Sequence, residues 1–321
     1  HMPGLTLYTS NRLEVLADEL AGMLRRPGDP LKPDIIIVQS RGMERWLSLT
    51  IARRNGIMAN CQFPFPNAFI ENLFGLLFDF EPHANPYNPR MLTFRIMGAL
   101  PDLIERHAAF DAFRAYLQDD VRGVKGYQLA AEIADLLDQY LLFRPQMLLD
   151  WEKDAPPQAG DPFPWQRALW QHLTQSTCIP HRATLWQALV ETGPPGVGSP
   201  TALPERVSLF GVSYLPPYYL QVLQALSGMM TIDIYQLNPC QEYWADIASD
   251  REAERMRRRV PEAHGLIEQD ALHIDTGNRL LASLGGHGRE FHALIAEIDC
   301  LVEERFQEIA PDNLLKAVQH D

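Results

Sequence analysis

Residues Asp34–Leu47 read DIIIVQSRGMERWL. Ile35 to Val38 is an unbroken, β-branched apolar run, the pattern of a strand buried on both faces of a parallel sheet. Gln39, Ser40, Arg41 and Gly42 turn the chain. Met43, Trp46, Leu47 and Ile51 then recur at helical spacing, and Gly56 stands where such a helix should stop. Strand, tight loop and helix start, in that order, form the frame in which nucleotide-binding motors place G-x-x-x-x-G-K-[ST]. Here the position is filled by QSRGMERW, without a Gly-rich cradle and without the Lys–Ser/Thr pair. The frame of a phosphate loop is present and its grip is not.

Outward from this stretch, the same alternation continues. Leu5–Ser10 predicts a first strand. Asn11 is placed as an N-cap with Glu14 at the capping-box position, ahead of a helix carrying Leu13, Leu16, Ala17, Leu20, Met23 and Leu24. Met58–Phe65 reads as a third strand or extended segment ended by Pro64 and Pro66, with Asn67 capping a helix that carries Phe69, Leu73 and Phe74. This β-α-β-α-β-α order is that of a parallel sheet wound by helices.

The character changes at Asp79. EPHANPYNP (Glu81–Pro89) is a turn-rich connector. Beyond it every periodic segment is helical: Met91–Leu100, Leu103–Leu117, Tyr127–Phe143, Trp165–Gln175 and Ala183–Glu191. Asp154–Pro164 divides this block and Gly193–Pro200 closes it, so Asp79–Pro200 is expected as an all-helical domain inserted into a sheet domain. Strands return at Arg206–Val212 and Met230–Gln236, around a helix from Pro217 to Leu226. From Glu242 the pattern is mainly helical, strongest over Arg289–Phe306. It breaks off at Asp321 without a closing element, as a piece of a longer protein would. His1-Met2 reads as the remnant of a cleaved tag.

Bulk properties narrow the class. The chain of 321 residues is 46% hydrophobic and 21% charged, the balance of an ordinary globular protein. No apolar run reaches roughly 18 residues, and the N-terminus leads straight into a strand pattern, so neither a membrane span nor a signal peptide is expected. The four cysteines, Cys61, Cys178, Cys240 and Cys300, lack C-x-x-C spacing. They are expected as free thiols in a reducing cytoplasm. The net charge of −13 disfavours binding of nucleic acid through phosphates over the whole surface. A local channel inside an acidic body remains open.

Catalytic and metal signatures are missing. The ten histidines include no H-E-x-x-H and no i,i+4 pair. No G-x-S-x-G elbow exists. GGHG (Gly285–Gly288) lacks a preceding strand and reads as a turn leading into a helix. Arg255–Arg259 (RMRRR) has two accounts, a phosphate contact or a solvated helix face beside Glu252 and Glu254. The helix Tyr127–Arg144 buries Leu129, Ile133, Leu136, Leu137, Tyr140 and Leu141. Gln128, Glu132, Asp135 and Gln139 form one row on it, with Asp138 alongside. That row is either a plain solvated face or a set of base-edge readers. In the second case its carboxylates accept from the donors of guanine or cytosine, and its Gln side chains pair with adenine.

Seven stretches carry a resemblance: LTLYTSNRLEVLADEL (5–20), DIIIVQSRGMERWLSL (34–49), GIMANCQFPFPNAFI (56–70), ADLLDQYLLFRP (134–145), LFGVSYLPPYYLQVLQAL (209–226), LNPCQEYWADI (237–247) and PDNLL (311–315). In order and over almost the whole chain, they resemble the N-terminal part of the RecC family, the gamma subunits of exodeoxyribonuclease V, the RecBCD recombination and repair complex. The resemblance implies a superfamily 1 helicase-like fold without a Walker A motif. Its α/β domain 1A would run over 3–78 and 201–321, with an all-helical domain 1B inserted over 79–200. It implies a non-catalytic, cytoplasmic subunit that guides the 3′-ended single strand after unwinding and recognises Chi. RecB and RecD are the implied partners, and ATP and Mg²⁺ are used by them and not by this chain.

Matched motif by motif, the resemblance assigns DNA contact to Gln39, Arg41 and Arg45 in the loop after the central strand, and to Phe65 and Glu71 in FPFPNAFIENLF. It assigns Asp135, Leu136, Asp138, Gln139 and Arg144 in ADLLDQYLLFR, and Arg182 in HRATLW. The chain departs from the enterobacterial pattern at Arg41, Arg45 and Glu71, where that pattern has a small polar residue, an amide and an aromatic. An aromatic absent at 71 removes a stacking surface of roughly 1–3 kcal/mol per base. Two arginines favour phosphate or guanine instead, which leaves a different octamer, or no base reading there, as alternatives. Against this DNA-recognition reading stand two others: an active P-loop ATPase, and a scaffold that docks the motor subunit without holding a strand.

Overall fold

The structure is a computed structural model that describes residues 4–25, 29, 31–78, 85–153, 163–193, 203–247, 249, 252, 254, 279–308, 310 and 312. It is an α/β protein whose six-stranded sheet is parallel throughout, in the order β3-β2-β4-β5-β1-β6. The strands are β1 (Gly4–Ser10), β2 (Asp34–Ile37), β3 (Cys61–Gln62), β4 (Arg206–Phe210), β5 (Thr231–Leu237) and β6 (Leu301–Glu304). The chain divides into two compact units. One holds His1–Phe69, Leu203–Leu215 and Leu226–Asp321; the other holds Ile70–Ala202 and Pro216–Ala225.

In the first unit, β4 and β5 are central and buried almost end to end, as the apolar runs RVSLF and TIDIYQL require. Helices α1 (Leu13–Leu24) and α2 (Arg41–Asn55) set Leu16, Leu20, Leu47 and Ile51 against Ile36, Val38, Phe210 and Tyr235. Tyr8 of β1 stacks on Tyr235 of β5, with centroids 4.9 Å apart and planes 7° from parallel. Gly56 ends α2 in the left-handed conformation at φ 82°, as the sequence predicts.

Three local expectations are corrected. Asn11 does not cap α1. Its amide donates to Gln307 O (2.8 Å) and accepts from Gln307 N (3.1 Å), tying the start of α1 to the segment after β6, while Arg12 takes the cap position without a side-chain bond. Asn67 lies inside α3 (Pro66–Phe78). Pro66 takes the first helical position, where its missing N–H goes unneeded, and Phe65 O accepts the first helical bond from Phe69 N. Of the strand or extended segment expected over Met58–Phe65, only Cys61–Gln62 pairs into the sheet.

The largest departure is at the end of the chain. The stripe expected over Arg289–Phe306 splits. After α11 (Arg279–Leu284), helix α12 covers Gly286–Ala296, and Leu301–Glu304 leaves the helix to pair with Thr6–Thr9 as edge strand β6. Gly285 caps α12, so GGHG is a helix-leading turn. Arg255–Arg259 lies outside the described residues.

The second unit is helical: α4 (Pro89–Arg106), α5 (Asp111–Leu117), α6 (Val124–Phe143), α7 (Pro145–Glu152), α8 (Pro164–Gln175), α9 (Arg182–Thr192), most of α3, and α10 (Pro217–Leu226). Its core gathers Leu92, Ile96, Ile133, Leu137, Trp151 and Trp170, among others. Helix α4 runs on through Pro101, where the sequence predicts a break between two helices. Its buried stripe continues unbroken through Ala99, Leu100 and Leu103, and that packing outweighs the lost backbone bond. The break falls instead at His107. Among the described residues no helix is long and apolar enough to cross a membrane, and the cysteines are free.

Candidate nucleic-acid interface

The residues assigned to DNA contact fall into two groups, one in each unit. In the sheet unit, β2 delivers Gln39 to the carboxyl edge of the sheet. Its side chain bonds the neighbouring loop there: Nε2 donates to Tyr214 O (2.7 Å), and Oε1 accepts from Ser213 N (3.2 Å) and Ser213 Oγ (3.1 Å). Ser40 caps α2 by accepting from Met43 N (3.1 Å). The loop thus satisfies its own helix start with a side-chain hydroxyl, where a phosphate loop holds amides open.

Arg41 opens α2, where a cation opposes the helix dipole, and Glu44 one turn on pairs with it at 2.8 Å. Its guanidinium also lies over the Phe65 ring, 5.5 Å from the centroid. Phe65 is 39% exposed, so the Arg41–Phe65 pair offers a planar, charged surface to solvent. Arg45, one turn along α2, is exposed.

In the helical unit, α6 presents the acidic row. Glu132, Ile133, Asp135, Leu136 and Gln139 line an open hollow of about 390 Å³. Leu136 is half-buried and not in the core, which places an apolar contact beside the carboxylates. Arg144 ends α6 with its guanidinium over the Tyr140 ring, 5.6 Å from the centroid.

Asp138 faces inward. It accepts from Arg182 Nη2 at 3.1 Å, and the same nitrogen donates to Glu71 at 2.9 Å. Two carboxylates therefore share one guanidinium whose side chain is only 8% exposed. Burial holds the Asp138 carboxyl above its ordinary range. Arg182 opposes that shift and Asp135 reinforces it, with burial the largest cause.

Arg182 is itself held from behind. It is the first residue of α9, whose cap is His181: Nδ1 accepts from Thr184 N (3.3 Å), and Nε2 lies 2.6 Å from Glu152 Oε1. Tyr218 and Tyr219 belong to the same electrostatic neighbourhood, since Arg182 and Glu71 act on both phenols. Arg182 Nη1 and both phenolic oxygens are buried without a hydrogen-bond partner among the described residues.

Sequence patterns point to the α6 row but not to this cluster. Asp138 and Glu71 lie 44 and 111 residues from Arg182, and no spacing rule connects them. The engagement of Gln39 by Ser213 and Tyr214 is equally non-local. Among the described residues no group of three His, Cys, Asp or Glu side chains is placed to hold a metal ion.

A family model described as RecC, N-terminal domain, matches residues 5–321. The chain is 37% identical over 341 residues to the RecBCD enzyme subunit RecC of Escherichia coli K12, an alignment covering 99% of this chain and 30% of that protein. It is 32% identical to the subunit of the same name from Haemophilus influenzae, covering 98% and 32%. The likeness to that from Mycolicibacterium smegmatis is also 32%, covering 99% and 28%. The chain thus spans about 30% of the length of these relatives.

Proposed function

The chain belongs to the RecC family, and from that membership we propose that it is the DNA-handling part of a non-catalytic subunit of a RecBCD-type helicase–nuclease in double-strand break repair. In this reading the sheet unit is an inactive counterpart of a superfamily 1 helicase domain 1A, and the helical unit is the inserted domain 1B. The 3′-ended single strand passes over it and Chi is recognised as it passes. RecB and RecD are the partners, ATP and Mg²⁺ serve them alone, and the complex works in the cytoplasm.

The loop after β2 carries the proposal. A nucleotide motor keeps backbone amides and a lysine free there for phosphate. This chain instead has Ser40 accepting from Met43 N, Arg41 paired with Glu44, and Gln39 bonded to Ser213 and Tyr214. The side chains of Gln39, Ser40 and Arg41 are thus each engaged within the protein's own loop and helix start. Calorimetric titration of the purified chain with ATP–Mg²⁺ tests this: no binding is expected, and measurable one-to-one binding would sink it.

A scaffold reading, in which this region docks the motor without touching DNA, is favoured by one observation. Gln39 and Arg182, both assigned to base contact, already bond other groups of the protein, Gln39 at the surface and Arg182 in a buried cluster. The exposed α6 row, with its apolar Leu136 and open hollow, favours strand contact.

A further inference from the structure

Resting on the strand-handling reading, we infer that Gln39 is a positioning residue for the loop Gly211–Leu215, and that Tyr214, flanked by His287, is the surface at this sheet edge that meets a nucleobase.

Gln39 cannot read a base as it stands. Bidentate recognition of adenine needs one amide donor and one amide acceptor at the same time. The acceptor Oε1 is already filled by Ser213 N and Oγ, and one of the two amide hydrogens is given to Tyr214 O. Turning the side chain to DNA would leave the loop's Ser213 N–H and Tyr214 O without these bonds. The geometry fits a clamp joining the end of β2 to the loop that follows the neighbouring strand β4.

The loop is fixed at its other points too. Gly211 N donates to Tyr235 O at 3.0 Å. Gly211 has φ +61°, the left-handed region that favours glycine, and a Cβ there would crowd Met43 Cε of α2 at 3.0 Å. Leu215 is buried. What this anchored loop holds up is the half-buried ring of Tyr214. His287, on the first turn of α12 with 90% of its side chain exposed, stands 5.9 Å away at an interplanar angle of 58°. Phe291 backs Tyr214 at 6.4 Å. An aromatic ring supported from behind and open to solvent, at the carboxyl edge of a parallel sheet, is a stacking platform in the place where such sheets take ligands. Stacking accepts any base, so this contact adds hold on the strand without sequence preference.

The test uses the full-length protein assembled with its partner subunits. Single strands of oligo-dT and oligo-dA carrying iododeoxyuridine are photo-crosslinked to the complex, and the adducts are mapped by mass spectrometry. A crosslink at Tyr214 is expected. Tyr214→Ala should weaken binding of both strands by roughly ten-fold, the loss of about one stacked base, and Tyr214→Phe should restore it. Gln39→Ala should lower the Tyr214 crosslink for oligo-dA and oligo-dT alike. A selective loss for oligo-dA would make Gln39 a base reader and overturn its positioning role. Crosslinks elsewhere in this chain with none in Gly211–Leu215 would overturn the platform while leaving strand handling intact. No crosslink anywhere in this chain would overturn both.

Discussion

Arg182 and Asp138 meet at 3.1 Å across 44 residues of sequence, and the guanidinium that binds Asp138 is almost wholly out of solvent. The pair joins the first turn of α9 to the C-terminal half of α6, the helix that carries the acidic row. The orientation of that row is therefore tied to a buried charge cluster and not to α6 packing alone.

Removal of the cation should be severe. Arg182→Met leaves Glu71 and Asp138 facing each other without a counter-charge, and a broken buried pair typically costs about 3 kcal/mol or more. Urea denaturation should show a loss of that size for Arg182→Met. The double variant Arg182→Met/Asp138→Leu should recover part of it, since the repulsion goes with the carboxylate. Equal stability of Arg182→Met and the parent would mean that the cluster contributes nothing.

Asp138 also sets a pH dependence. Its carboxyl is raised above the ordinary value of 3.8, with burial as the main cause. The folded state thus holds this proton more tightly than the unfolded state. The resulting stabilisation is complete below 3.8 and is lost as pH rises through the raised folded value. Asp138→Asn lacks this slope, so its stability relative to the parent should climb with pH from about 4 upward and level off towards neutrality. Thermal melts of the two proteins across that range measure it, and a difference that shrinks with rising pH contradicts the sign.

Tyr218 and Tyr219 bury their hydroxyls without a partner among the described residues, at 2% and 3% exposure. An unsatisfied buried hydroxyl is a net burden of about 1–3 kcal/mol. Tyr218→Phe and Tyr219→Phe should accordingly be neutral or stabilising in chemical denaturation. A loss above about 1 kcal/mol in either variant would show that the hydroxyl is bonded after all.

What the sequence made legible follows from the range of the interactions. The run Ile35–Val38 and the stop at Gly56 are local signals, and both strand and cap are found where they point. Strand β6 is invisible for a physical reason. Leu301 and Val302 continue the apolar spacing of Phe291 and Ile295, and only pairing with Thr6–Thr9 draws them into the sheet. Asn11 carries a good capping signature, but its amide finds a two-bond partner in Gln307 at the other end of the chain. Among the site residues, the α6 row was readable because its period is helical. The engagements of Gln39 and Arg182 were not, because each partner lies on a different element.

The central claim is that this region reads the passing strand through the α6 face. Nuclease switching at the organism's Chi, measured in the full complex carrying Asp138→Ala, tests it most directly. The account predicts that unwinding continues while the response to Chi is lost or strongly weakened; an unchanged response, with the variant complex assembled and unwinding normally, would contradict it.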